Sequence, residues 1–251
     1  MTKISLITGG SRGLGRNTAL AVARRGGDVI ITYQSRAEDA QAVVAEITAM
    51  GRTAAALQLD VGTASSFPAF AAQVKTLLGD VWGRTQFDHL VNNAGHGSMA
   101  TIGQTQEAMF DQLVNVHFKG VYFLTQELLP QIADGGRIVN FSSGLTRMIY
   151  PGYAAYAAAK GAIEVLTRYM AKELGGRGIA VNTIAPGAIE TDFGGGAVRD
   201  NTDINQHIAA ITALGRVGLP DDIGPVVAGL LAEESRWINA QRIEVSGGQA
   251  L

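Results

Sequence analysis

The 251-residue chain contains no cysteine. Disulfides and thiolate chemistry are thereby excluded, and a reducing compartment suits the chain. Charge of neither sign dominates: 20 Lys and Arg stand against 22 Asp and Glu, a net −2. No basic block or stripe occurs, so nucleic acid is not an expected partner. No apolar run approaches the ~20 residues that cross a bilayer. The start, Met1-Thr-Lys-Ile-Ser-Leu-Ile-Thr8, lacks a basic segment followed by a long apolar one, so no secretory leader is read. A soluble, cytoplasmic protein without a membrane partner is expected. Histidine is scarce too. His89, His96, His117 and His207 show no ligand spacing with one another or with carboxylates, so no catalytic metal is expected.

Glycine is plentiful, with 32 residues, and 47% of the chain is hydrophobic. That suits a packed core with many tight turns. Short apolar runs alternate with longer stretches of helical spacing. Strands are read at Ile4 to Thr8, Asp28 to Thr32, Ala54 to Asp60, His89 to Asn92, Arg137 to Ser142, Ile179 to Ile184 and Gln241 to Val245. Helices are read from about Gly13 to Arg25, Ala37 to Met50, Ser65 to Leu78, Gln106 to Leu129 and Tyr153 to Leu174. Repeated β-α-β units with Val/Ile-rich strands predict an α/β fold. The expectation is a Rossmann-type, doubly wound parallel sheet of about seven strands with helices on both faces. No linker or repeat divides the chain, so residues 1–251 are read as a single dinucleotide-binding domain.

The first strand runs into Thr8-Gly9-Gly10-Ser11-Arg12-Gly13-Leu14-Gly15. Glycines between a strand and a helix let the backbone approach a pyrophosphate, and the helix N-terminus supplies free N–H groups. The spacing is G-x-x-x-G-x-G, not G-x-G-x-x-G. Further on, Tyr156 and Lys160 stand four apart on an Ala-rich helical stretch and so share one face. A cation one turn away favours the phenolate, so Lys160 is expected to lower the pKa of Tyr156.

These motifs occur together in one family. The sequence T-G-x-x-x-G-x-G resembles the classical branch of the short-chain dehydrogenases/reductases, and 3-oxoacyl-carrier-protein reductases among them. Asn92-Asn93-Ala94-Gly95 is similar to the N-N-A-G that follows that family's fourth strand. Asn115, in L-V-N-V-H-F-K-G, is matched to its catalytic asparagine. Ser143 stands thirteen residues before Tyr156, and Tyr156 with Lys160 completes Y-x-x-x-K. Pro186-Gly187-Ala188-Ile189-Glu190-Thr191 resembles the P-G-x-I-x-T turn that holds a nicotinamide. The resemblance covers nearly the whole chain.

What the resemblance implies is a carbonyl/secondary-alcohol oxidoreductase. Tyr156 would give or take the proton that accompanies hydride transfer. Lys160 would also hold ribose hydroxyls, Ser143 would hydrogen-bond the substrate oxygen, and Asn115 would hold a relay water. Cofactor contacts would come from Gly9, Ser11, Arg12, Gly13, Leu14 and Gly15, from Asp60 and Val61 beside the adenine, and from Asn93, Ala94 and Gly95. Tyr156, Lys160, Pro186, Gly187, Ile189 and Thr191 would complete the set. Asn115 within a helix also reads as a plain kink, and Tyr153, seven before Lys160, fits the Y-x6-K spacing of enoyl-thioester reductases; it is read as a wall of the substrate pocket.

The end of the second strand, Ile31-Thr32-Tyr33-Gln34-Ser35-Arg36, carries no carboxylate to hold a ribose 2′-hydroxyl. Arg12 and Arg36 instead suit a 2′-phosphate, so NADP(H) is the expected cofactor. Residues of about 188–215, with Gly194-Gly195-Gly196 inside, would form a mobile lid over the substrate. Where relatives often have I-T-G before the last strand, this chain has Ile238-Asn239-Ala240. The resemblance further implies a homotetramer. An acyl carrier protein is a weaker partner reading, because only Arg137 and Arg177 offer basic contacts. A small ketone, sugar or secondary-metabolite reductase and a non-catalytic nucleotide sensor are the alternatives.

Overall fold

The computed structural model describes residues 2–251. Met1, the first residue of the expected single domain, lies outside the described residues. Seven strands form one sheet: β1 (Ile4–Ile7), β2 (Asp28–Tyr33), β3 (Ala54–Gln58), β4 (Phe87–Asn92), β5 (Ile132–Phe141), β6 (Ala180–Pro186) and β7 (Arg242–Val245). Their order is β3-β2-β1-β4-β5-β6-β7, and every neighbouring pair is parallel.

Side chains alternate across this sheet with period two. Leu6, Ile30, Leu90 and Ile138 occupy one row and face α3 (Phe67–Trp82), α5 (Gly120–Leu128) and α6 (Ala154–Leu174). Ile7, Ile31, Val91 and Val139, one residue on, face α1 (Gly13–Arg24), α2 (Ala37–Ala49) and α9 (Gly224–Leu231). The two apolar layers explain why the inner strands are apolar runs and not half-polar alternations. Local signals set the helix ends. Glu38 and Asp39 sit in the first turn of α2, where the helix dipole favours negative charge. Gly83 closes α3 in the left-handed conformation at φ 62°.

The strand order reverses between β1 and β4, because the chain builds outward to β3 and then returns. Their C-terminal ends therefore diverge and open a crevice. Two differences from the sequence reading matter to the site. The helix expected over residues 106–129 is α4 (Glu107–Val114) and α5, joined by a π turn at Asn115–Lys119. The extra residue in that turn lets one helix keep contact with the core on both sides of a functional segment. The segment expected to be a lid holds short helices α7 (Ala197–Asp200) and α8 (Thr202–Ala210). Among the described residues, no helix is long and apolar enough to cross a membrane.

Candidate active site

A cleft of about 1220 Å³ runs along the C-terminal ends of the strands. Its first end is the glycine turn. Gly9 adopts φ +67°, and a Cβ there would stand 2.9 Å from the Ala94 Cα. Gly15 presses its Cα against the Gly9 carbonyl. Thr8 and Asn93 lock this turn to the end of β4. The Thr8 hydroxyl accepts from the N–H groups of Asn93 and Ala94, both at 3.0 Å. The Asn93 amide donates to the Thr8 carbonyl at 2.8 Å. Asn93 thus shapes the cradle from behind, beside Gly95 at the cleft wall. No side chain caps α1 at Arg12, so the first-turn N–H groups near Ser11, Gly13 and Leu14 remain for an anion. A pyrophosphate fits this cradle: a Cβ at its close approaches has no room, and the helix end is bare.

Arg36 and Arg12 both line the cleft, and both are about half exposed. Arg36 pairs with Asp39 at 3.3 Å, and Arg12 with Asp192 at 3.5 Å. Such exposed pairs are weak and exchange readily for a phosphate. The Asp60 carboxylate is engaged by its own turn, accepting from Gly62 N–H at 2.9 Å and from the Thr63 hydroxyl at 3.1 Å. It therefore holds the Val61 loop in place at the cleft edge. Pro186, the last residue of β6, and Gly187, Ile189 and Thr191 after it wall the opposite side. The Ala188 N–H donates to the Gln249 side chain at 2.8 Å, which ties this wall to the C-terminal tail.

At the other end, Ser143, Tyr156 and Lys160 converge. Ser143 follows β5, and its hydroxyl accepts from the Leu145 N–H at 3.2 Å. Tyr156 and Lys160 project from the first two turns of α6 and are each only 5% exposed. The Lys160 ammonium donates to the Phe141 carbonyl at 2.8 Å and lies 5.8 Å from the Tyr156 ring centre. Burial pushes the Tyr156 phenol above its ordinary range, and the Ser143 hydroxyl draws it back only in part. Burial also lowers Lys160 to about 7. The lowering of the Tyr156 pKa expected from Lys160 is outweighed by burial. Both groups are desolvated, and a lysine that sheds its proton near neutrality is no fixed cation.

Asn115 lines the cleft at the π turn, where its carbonyl accepts from the Gly120 N–H. Among the described residues, no hydrogen bond joins its side chain to Tyr156 or Lys160. The residue beside Tyr156 is His117, 1% exposed, with its ring edge-on at 5.1 Å between centres. Its Nε2 donates to the His96 carbonyl at 2.7 Å. The sequence spacing marks His117 as buried, though not as the neighbour of Tyr156. Leu113, His117, Gly120 and Leu124 recur at i, i+4, i+7 and i+11, the buried stripe of one helix, and Asn115 is off it.

The substrate end is apolar and aromatic. Phe193 stands 5.8 Å from the Tyr156 ring, and Gly97 makes room for it, since a Cβ there would lie 2.8 Å from its ring edge. Tyr150, Tyr153 and Met148 complete that wall. The segment carrying Phe193 is pinned by Arg199 to Asp192 at 2.6 Å and turns on Gly194, Gly195 and Gly196, all at positive φ.

Comparison with known proteins agrees with this geometry. A family model described as enoyl-(acyl carrier protein) reductase matches residues 9–250. The tetrahydroxynaphthalene reductase PfmaG of Pestalotiopsis fici is 35% identical over 98% of this chain and 91% of its own length. The 3-oxoacyl-[acyl-carrier-protein] reductase FabG of Staphylococcus aureus is 36% identical over 99% of this chain and 98% of its own. The crystal structure of the angucycline C-6 ketoreductase LanV with bound NADP superposes with a TM-score of 0.93 at 34% identity, covering 99% of this chain and 95% of that one. With its glycine cradle, its crevice at the strand reversal and its Ser143–Tyr156–Lys160 cluster, the chain belongs to the short-chain dehydrogenase/reductase family.

Proposed function

We propose that the protein is an NADP(H)-dependent oxidoreductase that interconverts a ketone and a secondary alcohol, and that its substrate is a fused-ring aromatic ketone. The observation that carries the reading is the buried Tyr156 phenol in hydrogen-bond reach of the Ser143 hydroxyl and 5.8 Å from the Phe193 ring, in the lining of a dinucleotide-sized cleft. The cofactor, when bound, supplies or takes the hydride. The chain does the rest. Ser143 donates to the carbonyl oxygen and stabilises the charge that develops there. Tyr156 delivers a proton to that oxygen, and Lys160 replaces the proton on Tyr156. The raised pKa keeps Tyr156 protonated, as a donor for reduction must be. Arg12 and Arg36 hold the 2′-phosphate.

Flat rings fit a wall of Tyr150, Tyr153, Met148 and Phe193, and relatives that reduce a hydroxynaphthalene or an angucycline fit the same chemistry. An acyl carrier substrate has less behind it. Arg177 is bound to Asp134 and to the Leu129 carbonyl, and Arg137 is buried and donates to the Gly135 and Gly136 carbonyls. Both guanidiniums are already engaged by groups of this chain. A homotetramer is part of the proposal: Tyr122, Phe123, Val165 and Tyr169 leave apolar surface exposed on α5 and α6. The test is NADPH consumption with α-tetralone, a short 3-oxoacyl thioester and an aliphatic ketone. The fused-ring ketone is expected to give the highest kcat/KM. Preference for the thioester would overturn the substrate class, and tight NADPH binding without turnover on any ketone would favour a sensor.

A further inference from the structure

Asp192 joins two parts of the molecule. It stands at the base of the segment expected to close over the substrate, one residue before Phe193. Its Oδ1 accepts from Arg199 at 2.6 Å, inside that segment. Its Oδ2 accepts from Arg12 at 3.5 Å, in the glycine turn 180 residues away. Among the described residues, every other hydrogen bond of residues 191–208 ends within 190–212. The polar tie between this segment and the body is thus one ion pair, and its far end is an arginine of the cofactor cradle. The two parts adjoin, since a Cβ on Gly13 would stand 3.9 Å from the Thr191 Cβ.

The geometry favours exchange of this pair. Arg199 grips Asp200 through Nε and Nη2, at 2.7 and 2.8 Å, so it stays with the segment. Arg199 first, and Arg12 after it, hold the Asp192 carboxyl below its ordinary range. Asp192 therefore keeps a cation when Arg12 leaves. The Arg12 guanidinium makes no other hydrogen bond among the described residues, and at 3.5 Å the one it makes is long. A phosphate carries more charge than a carboxylate and engages both prongs of a guanidinium, so it displaces Asp192. One residue on, the Phe193 ring lies 5.8 Å from that of Tyr156, in a notch kept open by Gly97. A substrate ring that reaches the phenol must share this space. Gly194, Gly195 and Gly196, all at positive φ, follow as the hinge.

We propose that Asp192 and the cofactor's 2′-phosphate compete for Arg12, so that a bound phosphate unties the segment and lets Phe193 leave the Tyr156 phenol. The inference rests on the reading of Arg12 as a phosphate ligand. The coupling is reciprocal: the tie weakens phosphate binding by the factor by which phosphate weakens the tie. An exposed ion pair sets that factor at about two to five.

The test uses the full chain and two fragments, adenosine 2′,5′-bisphosphate and ADP, neither of which carries a nicotinamide to touch the segment. The Asp192 side chain is 41% exposed, so Asp192→Asn leaves the core intact. This variant is expected to bind the bisphosphate about two- to fivefold tighter than wild type, with ADP affinity little changed. With Arg12→Ala in the background the gain should vanish. Amide exchange over residues 191–208, followed by mass spectrometry, should quicken about two- to fivefold when the bisphosphate is added to wild type. It should not respond to ADP, and in Asp192→Asn it should be fast from the start. Equal gains for both fragments would mean plain charge repulsion in the cleft, and they overturn the proposal. So does a gain that survives Arg12→Ala, or exchange that the bisphosphate slows or leaves unchanged. No ketone enters these measurements, so a protein that reduces none overturns the function instead, and the fragments then still judge Asp192.

Discussion

The Arg242 Nε lies 2.7 Å from Glu164 Oε1, on the side of the Ser143 loop away from the cleft. Both side chains are mostly buried, at 9% and 16% exposed. The same carboxylate oxygen accepts from the Ser142 hydroxyl at 2.7 Å and the Thr146 hydroxyl at 2.8 Å. Arg242 also reaches the Ser143 carbonyl at 3.4 Å. Burial pushes Glu164 up, but the Ser142 and Arg242 bonds outweigh it and hold the carboxyl below its ordinary value. This clamp fixes the backbone that presents Ser143.

Removing Arg242 strands a partly buried carboxylate. Arg242→Ala should cost about 3 kcal/mol of stability. It should also lower kcat with little change in NADPH affinity, because Ser143 is held less well. Urea unfolding and steady-state kinetics on one preparation check both; an unchanged unfolding midpoint would contradict a stabilising clamp.

Arg36 and Arg12 test the cofactor. A charge-assisted bond is worth about 1.5–3 kcal/mol, so Arg36→Ala should weaken NADPH about 10- to 100-fold. NADH, which lacks the 2′-phosphate, should be unaffected. The double variant with Arg12→Ala should widen the gap. Titration of protein fluorescence with each nucleotide gives the ratio, and equal weakening of both nucleotides would speak against a 2′-phosphate site.

Lys160 makes the cofactor-free protein sensitive to pH. Its proton is held up to the ordinary 10.5 in the unfolded chain and only to about 7 in the folded one. Between those values the unfolded state binds more protons, so this group makes stability rise with pH. Tyr156 stays neutral in both states below 10. The stability of wild type minus that of Lys160→Met should therefore climb from about pH 7 to pH 9. A difference that stays flat or falls over that range would contradict a desolvated lysine.

The turn before β7 carries a cost. Ala240 takes φ 60°, where a Cβ is strained. Its N–H donates to the Val181 carbonyl at 2.9 Å, and Asn239 accepts from Val181 N–H at 2.9 Å, so the turn cannot relax. Ala240→Gly relieves the strain at the expense of a looser unfolded chain. A net gain of about 0.5 kcal/mol is expected, read as a higher unfolding midpoint.

Much of this was legible in the chain itself. The glycine turn, the apolar strands and the strand–helix alternation lead to the parallel sheet because each depends on local spacing. Strand ends were less accessible: β5 begins at Ile132, five residues before the apolar run that marks it, because Ile132 pairs with Phe87 and Ala133 to Gly136 bulge out before Arg137 pairs with His89. Asn115 was matched by motif, whereas the side chain beside Tyr156 depends on where the π turn puts the extra residue. No propensity encodes that turn. The Lys160–Tyr156 spacing was visible, but the sign of their pKa shifts was not. It depends on burial, which five residues of sequence do not reveal.

The central claim is that the Tyr156 phenol supplies the proton to a carbonyl reduced with NADPH. Its most direct test is Tyr156→Phe, followed by single-turnover NADPH oxidation with α-tetralone and by NADPH titration. Turnover should fall by about 10²–10⁴ while nucleotide affinity is kept. Retention of more than about a tenth of the wild-type rate, far outside that range, would contradict the account and move the proton donor elsewhere, with Tyr153 the next residue to replace.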